Sequence, residues 1–230
     1  MKLLYSILII CSTFKVVAQD SPYSVPTDST NKGKKFIPTG IRLGADILGP
    51  MLYAFDNRLL SYEFTAEIDI SNFYLIYETG HVDFAEMNDN VDYMVNGNFT
   101  RIGPEVNFLS ADKELNNFSI GLRYAWSNFN EKIVGDISED NWGAVPVNFD
   151  INNRSQWIEM TTGVKVRLWK GLFTGYIFRF RFIRKGSVPE VPFEPYYVPG
   201  YGLADRSSTW GFRYYLMYRI QWAKKLVKVN

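Results

Sequence analysis

The chain has one cysteine, Cys11, and one histidine, His81, among 230 residues. A single cysteine forms no disulfide within the chain. A single histidine excludes metal centres built on spaced histidines, and there is no CxxC pair and no glycine-rich phosphate loop. Charge of either sign is also lacking in excess: 25 Lys and Arg stand against 24 Asp and Glu. That balance offers no basic face for nucleic acid, and no nucleic-acid partner is expected. Beyond the N-terminal segment no eighteen consecutive residues are apolar, so a helical membrane protein is excluded. A membrane barrel is not, because its strands show only alternation.

What the sequence does have is aromatic residues, 17% of the chain, and too much hydrophobic content for disorder. The opening "MKLLYSILIICSTFKVVAQD" reads as an export signal over residues 1–18. Lys2 is the positive start, Leu3 to Phe14 the apolar stretch, and Val16-Val17-Ala18 the small-residue cleavage site. The rival is lipoprotein processing at Cys11, disfavoured by the bulky Ile10 before it. Residues 19–37, rich in Ser, Thr, Pro and Lys, are expected to be a flexible periplasmic leader.

From there, eight stretches alternate with the period of a β-strand. The clearest is the last, "WGFRYYLMYRIQW" at 210–222, whose even positions are all large and apolar while Arg213 and Arg219 share the other face. The others begin near 40, 60, 73, 93, 118, 157 and 172, and no stretch has a convincing helical period. Short connections alternate with long ones, roughly 50–58, 84–92, 128–156 and 186–207. All long loops therefore fall at one end, as in outer-membrane barrels, and an even strand number puts both termini at the other. This predicts an all-β, eight-stranded antiparallel up-and-down transmembrane β-barrel over 38–224, with a periplasmic tail at 225–230.

Volume decides which face is inside. An eight-stranded barrel holds one layer of side chains, and the apolar faces carry roughly three dozen large residues, so that face points outward into lipid. The other face then lines the lumen. It predicts a charge network of Asp46, Glu63, Glu67, Asp69, Glu78, Glu105 and Glu159 with Arg42, Arg101, Arg123, Lys165, Arg167, Arg179, Arg181, Arg213 and Arg219. Charges taken out of water must be paired, so the lumen is expected to be filled rather than open. Glycines on that face, among them Gly44, Gly121 and Gly175, would make room for long side chains.

Trp126, Trp157 and Trp210 near the long-loop end, with Trp169 and Trp222 near the short-turn end, are expected to form interfacial girdles. Trp157 and Trp169 are in the lumen phase of their strand, so both require a twist at its ends. Pro104 lies mid-strand, where a closed barrel has no edge for it. Tyr93, Val95 and Phe99 also run out of phase with Ile102 and Val106, so a bulge between Gly97 and Arg101 is expected.

Other chemistry is thin. His81 with Asp83 and a loop serine would make a membrane hydrolase or acyl transferase. Asp83, Glu86, Asn88, Asp89, Asn90 and Asp92 in "DFAEMNDNVD" could ligate calcium, but their spacing matches no recognised loop. "GDISED" at 135–140 is a weaker candidate of the same kind. No catalytic residue, metal or cofactor is expected. The stiff, aromatic "GSVPEVPFEPYYVPGYGLADRSS" could be a recognition surface or could fold down into the barrel mouth.

The stretches "GIRLGAD", "GLRYAWSNF", "WIEMTTGVKV" and "YVPGYG" resemble an uncharacterised family of exported Gram-negative barrel proteins. More broadly, the chain resembles the eight-stranded outer-membrane-protein-A-like class. The resemblance implies a bacterial outer-membrane location, with the bilayer, lipopolysaccharide and the barrel-assembly machinery as partners. It also implies a last strand read by that machinery, although "AKKLVKVN" follows Trp222 here, and Pro104 departs from the family pattern. The expected role is structural or adhesive, through the long loops and toward an unidentified extracellular partner. The alternatives are a small-ligand binding or transport barrel and a loop-sited enzyme.

Overall fold

The structure is a computed structural model that describes residues 38–70, 72–87, 91–109, 112–139, 143–183 and 195–223. The expected signal segment, leader and C-terminal tail lie outside the described residues, as do Asn88, Asp89, Asn90 and Asp140.

Eight strands close into one antiparallel ring: β1 (Gly40–Asp46), β2 (Leu59–Ile70), β3 (Phe73–Met87), β4 (Val91–Asn107), β5 (Asn117–Glu139), β6 (Gly143–Trp169), β7 (Leu172–Ile183) and β10 (Ser208–Gln221). A short helix, α1 (Leu48–Tyr53), follows β1, and a two-stranded ribbon of β8 (Tyr197–Val198) and β9 (Gly202–Leu203) precedes β10. Neighbouring strands are consecutive in sequence apart from that ribbon, and β10 closes the ring on β1. The ring is staggered. Leu43 faces Tyr218 across the closing pair, but its register followed the other way, through β2 to β7, arrives at Ser208. Stagger of this kind tilts the strands and lets residues far apart in sequence share one level of the lumen.

Alternation sorts the two faces. Phe64, Leu75, Tyr77, Ile102, Ile120, Leu122, Ile158, Phe178, Leu216 and Ile220 are among the large apolar side chains on the outside, while Glu63, Glu78, Arg101, Glu105, Arg123, Glu159, Lys165 and Arg179 are buried. Among the described residues no helix is long and apolar enough to cross a membrane. An apolar exterior around a closed ring leaves the strands to do it.

Four local expectations are corrected. First, the stretches taken as the second and third long loops are mostly strand: β3 and β4 run to Met87 and from Val91, and β5 and β6 pair without interruption out to Glu139↔Gly143. Strands that continue past the bilayer exchange lipid-facing residues for Asn, Asp and Lys, which hides their period. Second, the six residues of α1 are too few to show a helical period. Third, strand four contains no bulge. The β3–β4 register is unbroken from Phe73↔Val106 to Met87↔Asp92. Val95 and Phe99 simply lie inside the barrel. Bridging to β5 lapses only at Gly103 and Pro104, and it resumes in the same register at Glu105↔Gly121. Fourth, the register shift lies elsewhere, between Arg167 and Trp169 at the end of β6.

Candidate functional site: a charged lumen beneath an external sheet

The inward-facing charges fall into two clusters and a rim. The cluster nearer the long-loop end sets Asp46, Glu63, Glu78 and Glu159 against Arg101, Arg179, Arg181 and Arg213. Arg101 bridges Glu63 and Glu159, each at 2.8 Å. Arg179 donates to Glu78 at 2.9 Å and to Glu63 at 2.8 Å. Tyr215 donates to Glu63 and accepts from Arg179. Arg181 stands 3.5 Å from Glu159 and donates to the Tyr201 carbonyl, its guanidinium lying where Gly211 carries no side chain. Arg213 reaches Asp46 and Glu63 at 3.5 Å and donates to Ser61.

The second cluster centres on Lys165, whose Nζ lies 2.5 Å from Glu67 and 2.7 Å from Glu105. Arg123 adds a 2.6 Å bond to Glu105, which also accepts from Ser119. Arg42 pairs with Glu67 at 3.4 Å and lies between the Tyr74 and Phe173 rings, 4.7 and 5.1 Å from their centroids. At the short-turn rim Arg219 pairs with Asp69 at 2.5 Å. Arg167, part-buried near the end of β6, pairs with Glu114 of the β4–β5 turn at 2.9 Å. The guanidinium is the suitable cation here, because its fork of donors lets one arginine serve several carboxylates.

Apolar side chains close both clusters. Phe173, Ile177, Tyr215 and Met217 pack inside at one level. Nearer the mouth, Val82, Val95, Phe99, Ala125, Phe129, Trp157 and Ile183 pack with Val198, Tyr201 and Ala204 from the segment carrying β8 and β9. That segment is bonded down: Arg101 donates to the Gly200 carbonyl at 3.0 Å, and Thr209 and Arg181 donate to the Tyr201 carbonyl. Gly200 has φ +84°, and a Cβ there would meet the Phe99 ring at 2.6 Å. Its seat therefore requires glycine. Sequence reasoning missed the apolar packing inside, although Tyr215 and Met217 already stood on the arginine face of the last strand.

Trp157 is a correction. It is 2% exposed, donates to Glu159 at 2.7 Å and meets Tyr201 edge to face; its strand continues past it with no register shift there, so the lumen phase holds. Trp169 is turned outward by the register shift beside it, and with Trp210 and Trp222 it is exposed. Trp126 is half-buried beside Tyr124.

Above the mouth β3 to β6 continue as a sheet. There Tyr93 donates to Glu131 at 2.5 Å, accepts from the Tyr196 and Tyr197 amides, and sits in a ring cluster with Phe84 and Tyr196. Burial, then the bond to Glu131, pushes the Tyr93 hydroxyl well above its ordinary value, and burial raises the Glu131 carboxyl. In the β1–β2 connection, bonds from Arg58 lower exposed Asp56 to about 2.

Among the described residues His81 and Asp83 do not pair. His81 is turned to Asn98, at 2.9 Å, and to Asn96, and it stacks on Tyr62; Asp83 is exposed. Among the described residues no three His, Cys, Asp or Glu are placed to hold a metal.

A family model described as "Domain of unknown function (DUF6048)" matches residues 1–225. No curated protein matches. Several solved structures have similar chain traces. Neisserial surface protein A has 12% identity, 80% of this chain and 96% of that one covered, and a TM-score of 0.45. Ail, the attachment invasion locus protein of Yersinia pestis, has 8% identity, 80% and 98% coverage, and 0.42. The N-terminal β-barrel domain of Pseudomonas aeruginosa OprF has 9%, 80% and 97%, and 0.40.

Proposed function

The chain belongs to the family described as Domain of unknown function (DUF6048), and for this member we propose a non-enzymatic outer-membrane role exercised through its external sheet. The carrying observation is the contrast between the two faces of the ring. Outside, large apolar side chains are exposed; inside, acids and bases consume one another in ion pairs no longer than 3.7 Å. A lumen so filled leaves little room among the described residues for a solute to pass. Accessible among the described residues is the sheet of β3 to β6 above the mouth, a platform for structural or adhesive contacts. Its surroundings would be the bacterial outer membrane with its lipopolysaccharide, reached by export and insertion through the barrel-assembly machinery.

Two measurements test this. The protein should fractionate with the outer membrane and migrate differently on gels before and after boiling; recovery as a soluble periplasmic protein would overturn the placement. Planar-bilayer recordings should show no large stable conductance, and a steady open channel would replace the closed barrel with a transporter.

A further inference from the structure

One stave of the barrel is too short. β1 has seven residues, whereas a strand crossing a bilayer needs about 9–11 when tilted. At about 3.3 Å per residue and a tilt of 35–45°, seven residues climb roughly 16–19 Å of an apolar band about 25 Å tall. Both neighbours continue above it. β10 pairs with β1 only as far as Tyr215, yet its outward side chains run on through Phe212 to Trp210. β2 pairs with β1 only to Phe64 and runs on through Tyr62 and Leu60. The wall therefore has a seam between β2 and β10, near the long-loop end, at a height where the flanking strands still present apolar residues to the outside.

α1 fills that seam. Its Gly49 is pressed onto β2 so closely that a Cβ would lie 2.2 Å from the Ser61 carbonyl oxygen. Met51, Leu52 and Tyr53 of the helix, Phe55 after it and Ile47 before it are all exposed. These prolong the outward stripe of β1, from Leu43 upward. The backbone amides of Ile47 to Met51 are accounted for internally. Ile47 donates to the Tyr214 carbonyl, Leu48 and Gly49 donate to the Asp46 carboxylate, Pro50 has no N–H, and Met51 donates to Ile47. Behind the helix Arg213 ties β10 to Ser61 of β2. Irregular backbone is tolerated at membrane depth only when its groups are satisfied in this way.

We propose that α1 lies in the outer leaflet, its Met51, Leu52 and Tyr53 against lipid acyl chains, and completes the barrel wall where β1 ends. The start of the first connection, through Phe55, is then a membrane-contacting element, while the Asp56–Arg58 pair beyond it stays exposed. This rests on the outer-membrane reading above, and the test separates the two.

Nitroxide labels would be placed one at a time at Met51, Leu52, Leu122 and Arg154 through cysteine substitutions in a Cys11→Ser background. The folded protein would be reconstituted in dimyristoylphosphatidylcholine vesicles, and collision with oxygen compared with collision with a water-soluble nickel chelate. Labels at Met51 and Leu52 should favour oxygen, as should the belt position Leu122, while Arg154 on the projecting sheet should favour nickel. If Met51 and Leu52 behave like Arg154 while Leu122 remains in lipid, the embedded helix is wrong and the barrel stands. If Leu122 also favours nickel, the membrane reading itself fails. Leu52→Asp supplies a second readout: it should lower insertion yield into the same vesicles several-fold relative to Arg154→Asp, and equal yields would count against lipid contact.

Discussion

The Nη1 of Arg123 donates to the carbonyl of Pro104 at 3.1 Å and to that of Leu122 at 3.2 Å. This is how a closed barrel carries a proline with no edge to place it on. Pro104 has no N–H to give β5, the bridging lapses there, and a guanidinium from the neighbouring strand supplies donors in its place. The same side chain pairs with Glu105, so one arginine serves the backbone and the charge cluster together.

That double duty is measurable. Pro104→Val restores an N–H and should leave stability in vesicles unchanged or higher by urea unfolding. Arg123→Met should cost about 3–5 kcal/mol because it leaves Glu105 short of a buried partner. In the Pro104→Val background the loss should shrink by about 1 kcal/mol, the worth of one backbone hydrogen bond. Strict additivity in the cycle would show that the two residues are not coupled.

Arg179 is the cation on which Glu63, Glu78 and Tyr215 converge. Arg179→Leu should therefore be strongly destabilising, by about 3–5 kcal/mol. Arg179→Lys should recover only part of the loss, since a single ammonium cannot match a forked donor. Full recovery by lysine in the same unfolding assay would reduce the site to net charge alone.

Tryptophan placement can be read by fluorescence in vesicles of brominated lipid. Variants retaining only Trp210 or only Trp222 should be quenched. One retaining only Trp157 should not, because that ring is inside beside Glu159 and Tyr201. Quenching of Trp157 would place it in the girdle after all.

The contact of Tyr93 with Glu131 above the mouth should respond to pH. Burial raises the Glu131 carboxyl, so the packed state holds a proton that the opened state gives up. Stability of this contact is greatest at low pH and declines as pH rises from the ordinary carboxylate value through the raised one. Hydrogen exchange at the Tyr196 and Tyr197 amides, corrected for its intrinsic pH dependence, should show protection falling over that interval. Glu131→Gln should abolish the trend; a trend that survives it has another source.

Much of this architecture was legible in the chain. A period of two over eight stretches determines strands and assigns a face to each residue, because successive side chains on a strand must point opposite ways. The bulk of Phe64, Phe178, Phe180 and their like forces the apolar face outward, since an eight-stranded lumen cannot hold it. That Glu63, Arg101, Arg179 and the other buried charges share the inner face followed from phase alone, while phase says nothing about their depth. Tertiary structure decided what local pattern does not encode. Arg101 meets Glu63 and Glu159, and Lys165 meets Glu67 and Glu105, because the stagger of the ring brings distant strands to one height. Trp157 stays inside because Tyr201 and Glu159 receive it there. Pro104 is tolerated because Arg123 happens to reach its carbonyl. Alternation is a property of one strand, whereas level, partner and depth belong to the closed ring.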